Sequence, residues 1–351
     1  MAQSTYVIGQ TDVRNRLLAD VTAGRVAHAL MFCGPAGAGK LALAVDFART
    51  LLCQQPLPDG EPCGECMSCR MAAKLEHPDL HFAFPIVKDA KTKTEDAISD
   101  IYIKEWRARL LQSPYFDLTD WLADMRAENQ QAKFYVAEAE NIQRKLVLKS
   151  SQGGRKVMVL WLPEKMNAET ANALLKLFEE PPAGTHFLMV SEEPELVLGT
   201  ILSRTQRILV PPLSPEDYRV AHPPKDETLH MELFMMLMRL AYQRKVKDLR
   251  EWADRLATMG REPQKQFLAF CQRMVRENFV YNFRLPELNV LTEEQAAFSR
   301  NFARFINENN VIDITEELGR AETDIAQNVN AKMVFFDLAL KIIVLLINKP
   351  S

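Results

Sequence analysis

The chain has 351 residues, 47% of them hydrophobic and 25% charged, which suits a globular protein with enough apolar mass for two or three domains. Its 43 Lys and Arg against 46 Asp and Glu leave a net charge of −3, so bulk charge gives no reason to expect a nucleic-acid binder, although a local basic patch would be hidden in that sum. The opening MAQSTYVIGQTDVRNR has no apolar h-region, and the apolar stretch VFFDLALKIIVLLI (334–347) is interrupted by Asp337 and Lys341 and falls short of the roughly 20 residues a membrane span needs. The expectation is a cytoplasmic protein with no secretory signal and no membrane partner.

In chain order, HALMFC (28–33) is an apolar run that ends at a glycine loop, and LALAVDFARTLL (41–52) continues with helical spacing. A cysteine cluster follows over 53–69. KDAKTKTEDA (88–97) reads as a solvated loop. Beyond it Trp106, Leu110, Leu111, Tyr115, Phe116, Trp121, Leu122 and Met125 predict a small helical hairpin packed on the domain. That 88–133 segment looks inserted, either as a structural embellishment or as a partner surface. KVMVLWLP (156–163) predicts a second buried strand, and NAETANALLKLFEE (167–180) a helix that stops at Pro181 and Pro182. HFLMVS (186–191) and RILVPPL (207–213) predict a third and fourth strand. Strands alternating with helices in this way predict an α/β fold, a parallel sheet with helices on both faces over 1–212. LSPEDYRVAHPPKDE lies in a predicted linker, 213–228. The remainder, 229–351, has 3.6-residue periodicity and predicts an all-helical C-terminal domain, with the methionines of 231–238 either facing its core or forming an interaction face.

Three sets of residues carry chemistry. The first is CGPAGAGKLALA (33–44), where Gly34, Gly39 and Lys40 fit the phosphate-loop pattern G-x-x-x-x-G-K-S/T between a strand and a helix. The pattern's hydroxyl would ligate the nucleotide's Mg²⁺, but the residue here is Leu41. The strand VMVLWL is then followed by Pro163 and Glu164, where nucleotide hydrolases of this loop type carry Asp-Glu. Both protein oxygens for a divalent ion are missing, so Mg²⁺ is not expected and ATP binding is doubtful. The second set is Cys53, Cys63, Cys66 and Cys69, four of the six cysteines within seventeen residues. In a reducing compartment C-x9-C-x2-C-x2-C points to metal before disulfide. Four thiolates leave no open coordination position, so the expected metal is structural zinc, with an iron–sulfur cluster as the alternative occupant. The third is Ser203-Arg204-Thr205, which taken alone is an exposed arginine ahead of a strand.

VIGQ (7–10), RVAHALMFCGPAGAGK (25–40), the four cysteines, EHPD (76–79), NALLKLFEEPP (172–182) and SRT (203–205) stand in the order found in bacterial clamp-loader subunits of the AAA+ class. The chain resembles that family over 7–87 and 134–212, and weakly in its last helices; it is most like the delta-prime type of DNA polymerase III. The resemblance implies an AAA+ P-loop sheet, a C-terminal collar that joins subunits, and a role in placing a sliding clamp on primed DNA. It implies gamma/tau and delta subunits as partners, with the clamp and DNA met through the complex. It also implies that Arg204 is offered in trans to a neighbour's ATP; Thr205 stands where the family has cysteine. The usual three-helix lid has no room between Pro212 and the helix near 229 and is expected to be missing or reduced. Two rivals stand beside this reading. One is an active gamma/tau-like ATPase, which Leu41 and Pro163 oppose. The other is a zinc-dependent DNA-binding module, which the acidic Asp59, Glu61 and Glu65 around the cysteines oppose.

Overall fold

Side chains of a strand alternate between its two faces, and here both faces are apolar. The computed structural model describes residues 7–88, 93–127, 130–151, 154–222, 227–284 and 288–347. They form two units, Met1–His222 and Pro223–Ser351. In the first, the order is α1 (Thr11–Thr22), β1 (Ala29–Cys33), α2 (Lys40–Leu52), α3 (Met67–Ala73), β2 (Leu80–Ala83), α4 (Ile103–Gln112), α5 (Leu118–Asp124) and α6 (Val136–Val147). It continues with β3 (Lys156–Trp161), α7 (Ala168–Glu179), β4 (Thr185–Ser191), α8 (Gly199–Leu202), β5 (Gln206–Leu209) and α9 (Pro215–Ala221). The five strands lie in the order β2-β3-β4-β1-β5, and every pair is parallel. Leu30, Phe32, Phe82, Val157, Val159, Leu188 and Val190 face a core closed by α1, α2, α4 and α5. The alternate residues Met31, Cys33, Ala83, Met158, Leu160, Phe187 and Met189 face a second core closed by α6, α7 and α8.

The four predicted strands form. The fifth, β2 (LHFA), has no counterpart among them: at four residues it is too short to show a period, and it is fixed by pairing with β3, Leu80 opposite Val157. The segment expected as linker holds α9, which Ser214 caps by accepting from the Asp217 N–H and Pro215 opens at the first turn. The remaining linker positions 223–226, like 89–92 of the expected solvated loop, lie outside the described residues.

The inserted hairpin forms as α4 and α5. Trp106 and Trp121 are fully buried within it. Trp106 stacks on Phe84 with ring centres 4.1 Å apart and meets Trp121, Phe116 and Trp161 at 5.1–5.5 Å. Trp121 donates its indole N–H to the Pro85 carbonyl at 3.0 Å, and Asp117 and Asp120 cap α5 reciprocally. The hairpin is thus bolted to the sheet through an aromatic cluster.

The second unit holds α10 (Thr228–Tyr242), α11 (Val246–Ala257), α12 (Arg261–Tyr281), α13 (Glu293–Phe302), α14 (Val311–Ala326) and α15 (Ala331–Ile347) around one core. Met231 and Met238 are buried in it, as their spacing predicts, whereas Met235 is exposed. A turn at 327–330, between α14 and α15, divides a stretch whose periodicity reads as one helix. Among the described residues no helix is long and apolar enough to cross a membrane.

Trp106 gives a test of this packing. Trp106→Ala should cost about 3–5 kcal/mol, the usual range for emptying a large aromatic site. Trp106→Phe should cost clearly less, because the indole N–H it removes has no acceptor. Thermal or urea denaturation measures both; equal losses would contradict the packing described.

Candidate functional site

The phosphate loop joins β1 to α2. Gly39 is the N-cap of α2 with φ of 80°, a left-handed conformation that glycine adopts without penalty. Gly34 is required for another reason: a Cβ there would come within 2.2 Å of the Val210 carbonyl oxygen. Leu41 is 5% exposed and packs into the core under the loop, so the position of the metal-binding hydroxyl is occupied by an apolar anchor.

Lys40 is only 4% exposed. Its ammonium donates to the carbonyls of Gly34 at 2.8 Å and Pro35 at 2.6 Å, with the Glu192 carboxylate 3.9 Å away. Burial lowers the Lys40 pKa, opposed by Glu192 and Glu164, and burial raises that of Glu192. The cation is satisfied by the loop's own backbone.

At the end of β3 the chain turns through Leu162, whose φ of 56° is unusual for a branched side chain, and Pro163 opens a short 3₁₀ turn. Pro163 is buried and offers no side-chain oxygen. The Glu164 Oε1 accepts from the backbone N–H of Glu192 at 2.9 Å and of Glu193 at 3.3 Å, while its Oε2 is buried without a hydrogen-bond partner. One oxygen of this carboxylate ties the ends of β3 and β4.

Aromatic side chains cover the loop. Tyr115, from the connection between α4 and α5, lies over Gly39, where an added Cβ would stand 2.9 Å from its ring. Its hydroxyl accepts from the Ile8 N–H at 2.7 Å, and burial pushes its pKa up to about 12. Its ring meets His222 edge-on at 5.7 Å; His222 in turn contacts the Gly37 carbonyl through Nε2 at 2.9 Å and packs on Tyr218 at 4.6 Å. Gln10 donates to the Ala38 and Pro211 carbonyls at 2.9 and 2.8 Å. The cleft left among Gly37, Lys40, Tyr115, Trp161, Glu192 and His222 has about 300 Å³ of space even with open solvent included, at the lower end for a small-molecule site.

The four cysteines converge. Cys53 ends α2, Cys63 and Cys66 lie in the following loop, and Cys69 is in α3, for which Cys66 is the N-cap. Their sulfur atoms all lie within 4.8 Å of one another, with Cys53–Cys63 at 3.7 Å and Cys63–Cys69 at 3.9 Å. A tetrahedral thiolate site with metal–sulfur bonds of about 2.3 Å has sulfur–sulfur edges of about 3.8 Å. The backbone N–H groups of Cys63, Cys66 and Cys69 point at Cys53, Cys63 and Cys66 sulfurs at 3.3–3.4 Å, the support that thiolate ligands receive in metal sites. Burial raises the Cys66 thiol, yet N–H donors from Gln54 and Cys69 and the neighbouring thiols outweigh it and bring it down to about 6. The set fits a metal ion.

Arg204 follows α8, whose C-cap is Ser203. Its guanidinium is one-third exposed and bonds the Thr200 carbonyl at 2.7 Å, the Ser203 hydroxyl at 3.1 Å and the Glu179 carboxylate at the end of α7. None of these bonds goes to the phosphate loop.

Of the residues singled out in the sequence, the structure brings together the four cysteines, and separately Gly34, Gly39 and Lys40 with Glu164 nearby. Sequence reasoning missed Tyr115 as a site residue, and His222, Tyr218 and Glu192 altogether. Glu192 carried a usable signal, since it stands at the carboxyl end of a strand adjacent to β1. Tyr115 and His222 carried none, because nothing in a sequence links them to a loop about 75 and 180 positions earlier.

Comparison with known proteins agrees with this geometry. The family described as DNA polymerase III, delta subunit, matches residues 9–214. The chain is 35% identical over 178 residues to the DNA polymerase III subunit delta' of Pseudomonas aeruginosa, covering 51% of this chain and 41% of that one. It is 30% identical over 227 residues to the Escherichia coli delta' subunit, covering 64% and 54% respectively. The gamma/tau subunit of Mycobacterium tuberculosis is 31% identical over 214 residues, 60% of this chain and 29% of that one. The chain thus spans about half the length of the delta' relatives it matches. With its parallel sheet, glycine loop and cysteine cluster, it belongs to the DNA polymerase III delta'/gamma–tau family of clamp-loader subunits.

Proposed function

We propose that this chain is a delta-prime-type subunit of a clamp loader that does not hydrolyse ATP itself and that lends Arg204 to the ATP site of a neighbouring subunit. The observation that carries the reading is the pairing of Leu41 and Pro163. Side chains without oxygen stand at both positions where a P-loop ATPase holds its divalent ion, and both are buried in packing that a hydrated Mg²⁺ would disrupt. Two of the three Lys40 N–H donors are already taken by loop carbonyls. Mg²⁺ binding is not expected, and what remains for the loop is to shape the domain.

Arg204 fits the role of a donated cation because its guanidinium lies at the surface and is held in place by Thr200, Ser203 and Glu179. Presented to a neighbour's γ-phosphate, an ordered guanidinium stabilises charge that develops in the transition state. The partners in this reading are gamma/tau and delta subunits, with the sliding clamp and primed DNA engaged through the complex, in the cytoplasm. Residues 1–212 act as the ATPase-like domain, the lid is reduced, and 229–351 form the collar. The reading of an active gamma/tau-like motor rests on the M. tuberculosis similarity, but it needs an oxygen at position 41 or 163.

Cys53, Cys63, Cys66 and Cys69 would hold zinc. When bound, the ion supplies a cross-link between the end of α2 and the start of α3 and no reactive position, since all four ligands are protein sulfur. The sulfur spacing and the N–H donors support this assignment.

In a loader reconstituted with its motor subunits, Arg204→Ala should leave assembly intact and slow hydrolysis at the adjacent site by roughly 10³–10⁵. Arg204→Lys should not restore it, because a point charge lacks the planar fork. Turnover unchanged in Arg204→Ala would remove the assignment. In the zinc assay, Cys66→Ser should drop metal from about one equivalent to a trace by elemental analysis and lower the melting temperature, since metal binding is linked to folding. Full retention of metal would contradict the four-sulfur site.

A further inference from the structure

We infer that Tyr115 is an intramolecular occupant of the phosphate loop, carried there by the 88–133 insertion, so that the closed arrangement around the loop is held by the chain itself and needs no nucleotide. The inference deepens the non-hydrolysing reading above and rests on it.

In a nucleotide-binding loop the phosphates gather the loop's N–H groups and its lysine, and the ligand bridges elements that otherwise touch only weakly. Here three separate pieces of chain meet: the N-terminal segment at Ile8 and Gln10, the loop at Gly37–Lys40, and α9 at Tyr218 with His222 just after it. Tyr115 touches a member of each. Its hydroxyl takes the Ile8 N–H at 2.7 Å, its ring covers Gly39, and its ring edge meets His222, which contacts the Gly37 carbonyl. Glycine is what permits the ring to lie there, since any Cβ at position 39 would collide with it.

The insertion presents this residue rigidly. Phe116, its neighbour, is wedged against Trp106 at 5.5 Å and Trp161 at 5.3 Å, with the Arg109 guanidinium 5.9 Å from its ring centre. Arg109 is itself fixed by two bonds of 2.5 Å to Asp124, across from α4 to α5. The Tyr115 N–H donates to the Ser113 hydroxyl at 3.2 Å. A side chain held from below by buried tryptophans and a two-pronged ion pair loses little further entropy in staying over the loop. The insertion therefore has a physical role, because the cluster that anchors it to the sheet also aims Tyr115.

Amide hydrogen exchange on the full chain tests the inference. In Tyr115→Ala, exchange in both 7–10 and 34–40 should rise roughly tenfold or more, because one contact was holding both segments. In Tyr115→Phe, which keeps the ring over Gly39, exchange should rise at 7–10 and stay near wild type at 34–40. Unchanged exchange at both segments in Tyr115→Ala would overturn the inference, as would a rise spread evenly over the whole domain in both variants, which would mark a general loss of packing. Phosphate release from ATP by the wild-type chain alone is a separate outcome: it would overturn the non-hydrolysing reading, whatever the exchange data show.

Discussion

The structure turns on where the Lys40 ammonium finds its partners. A cation almost removed from water must be matched by oxygen, since an unpaired buried charge costs several kcal/mol. Here the match is the Gly34 and Pro35 carbonyls, with Glu192 in reserve. Once these contacts are made the loop is closed on itself. Its glycines are then retained for packing, Gly34 against the Val210 carbonyl and Gly39 for its left-handed turn under Tyr115. Leu41 extends the α2 core in place of a metal ligand. On the proposed reading, a phosphate-binding motif serves as an internal fastener at the carboxyl ends of β1, β4 and β5.

The same conversion is visible at Glu164. A carboxylate placed after β3 would activate water beside a held metal ion, yet here it accepts two backbone N–H groups that begin the loop after β4. Arg204 is partly exposed and is ordered by its neighbours. Under the proposed function, a fixed guanidinium of this kind suits a subunit whose contribution is geometric. With the proposed zinc bound, the cysteine cluster would tie the chain after α2 to α3.

Much of this is legible in the sequence because the signals are local. β1, β3 and β4 are continuous apolar runs, as strands covered on both faces must be, and their predicted bounds agree with the folded ones within a residue or two. The cysteine convergence follows from short spacing, and the loss at Leu41 and Pro163 from motif grammar. What escapes depends on distance in the chain. β2 exists through its partner β3, α9 through its caps and the contact of His222 with Gly37, and the turn before α15 through four residues that periodicity alone bridges. Tyr115 is the plainest case: its neighbours Trp106, Phe116 and Trp121 announce a buried hairpin, but only the folded chain shows that the hairpin ends on the phosphate loop.

The central claim is that the loop's lysine is held by the chain's own carbonyls and that no side-chain oxygen for a divalent ion stands at positions 41 and 163, and calorimetric titration of the full chain with Mg·ATP tests it most directly. The account predicts no heat of binding up to millimolar nucleotide, with or without Mg²⁺. Saturable binding in the micromolar range that strengthens with Mg²⁺ would contradict it, because the metal would then have found ligands that positions 41 and 163 do not provide.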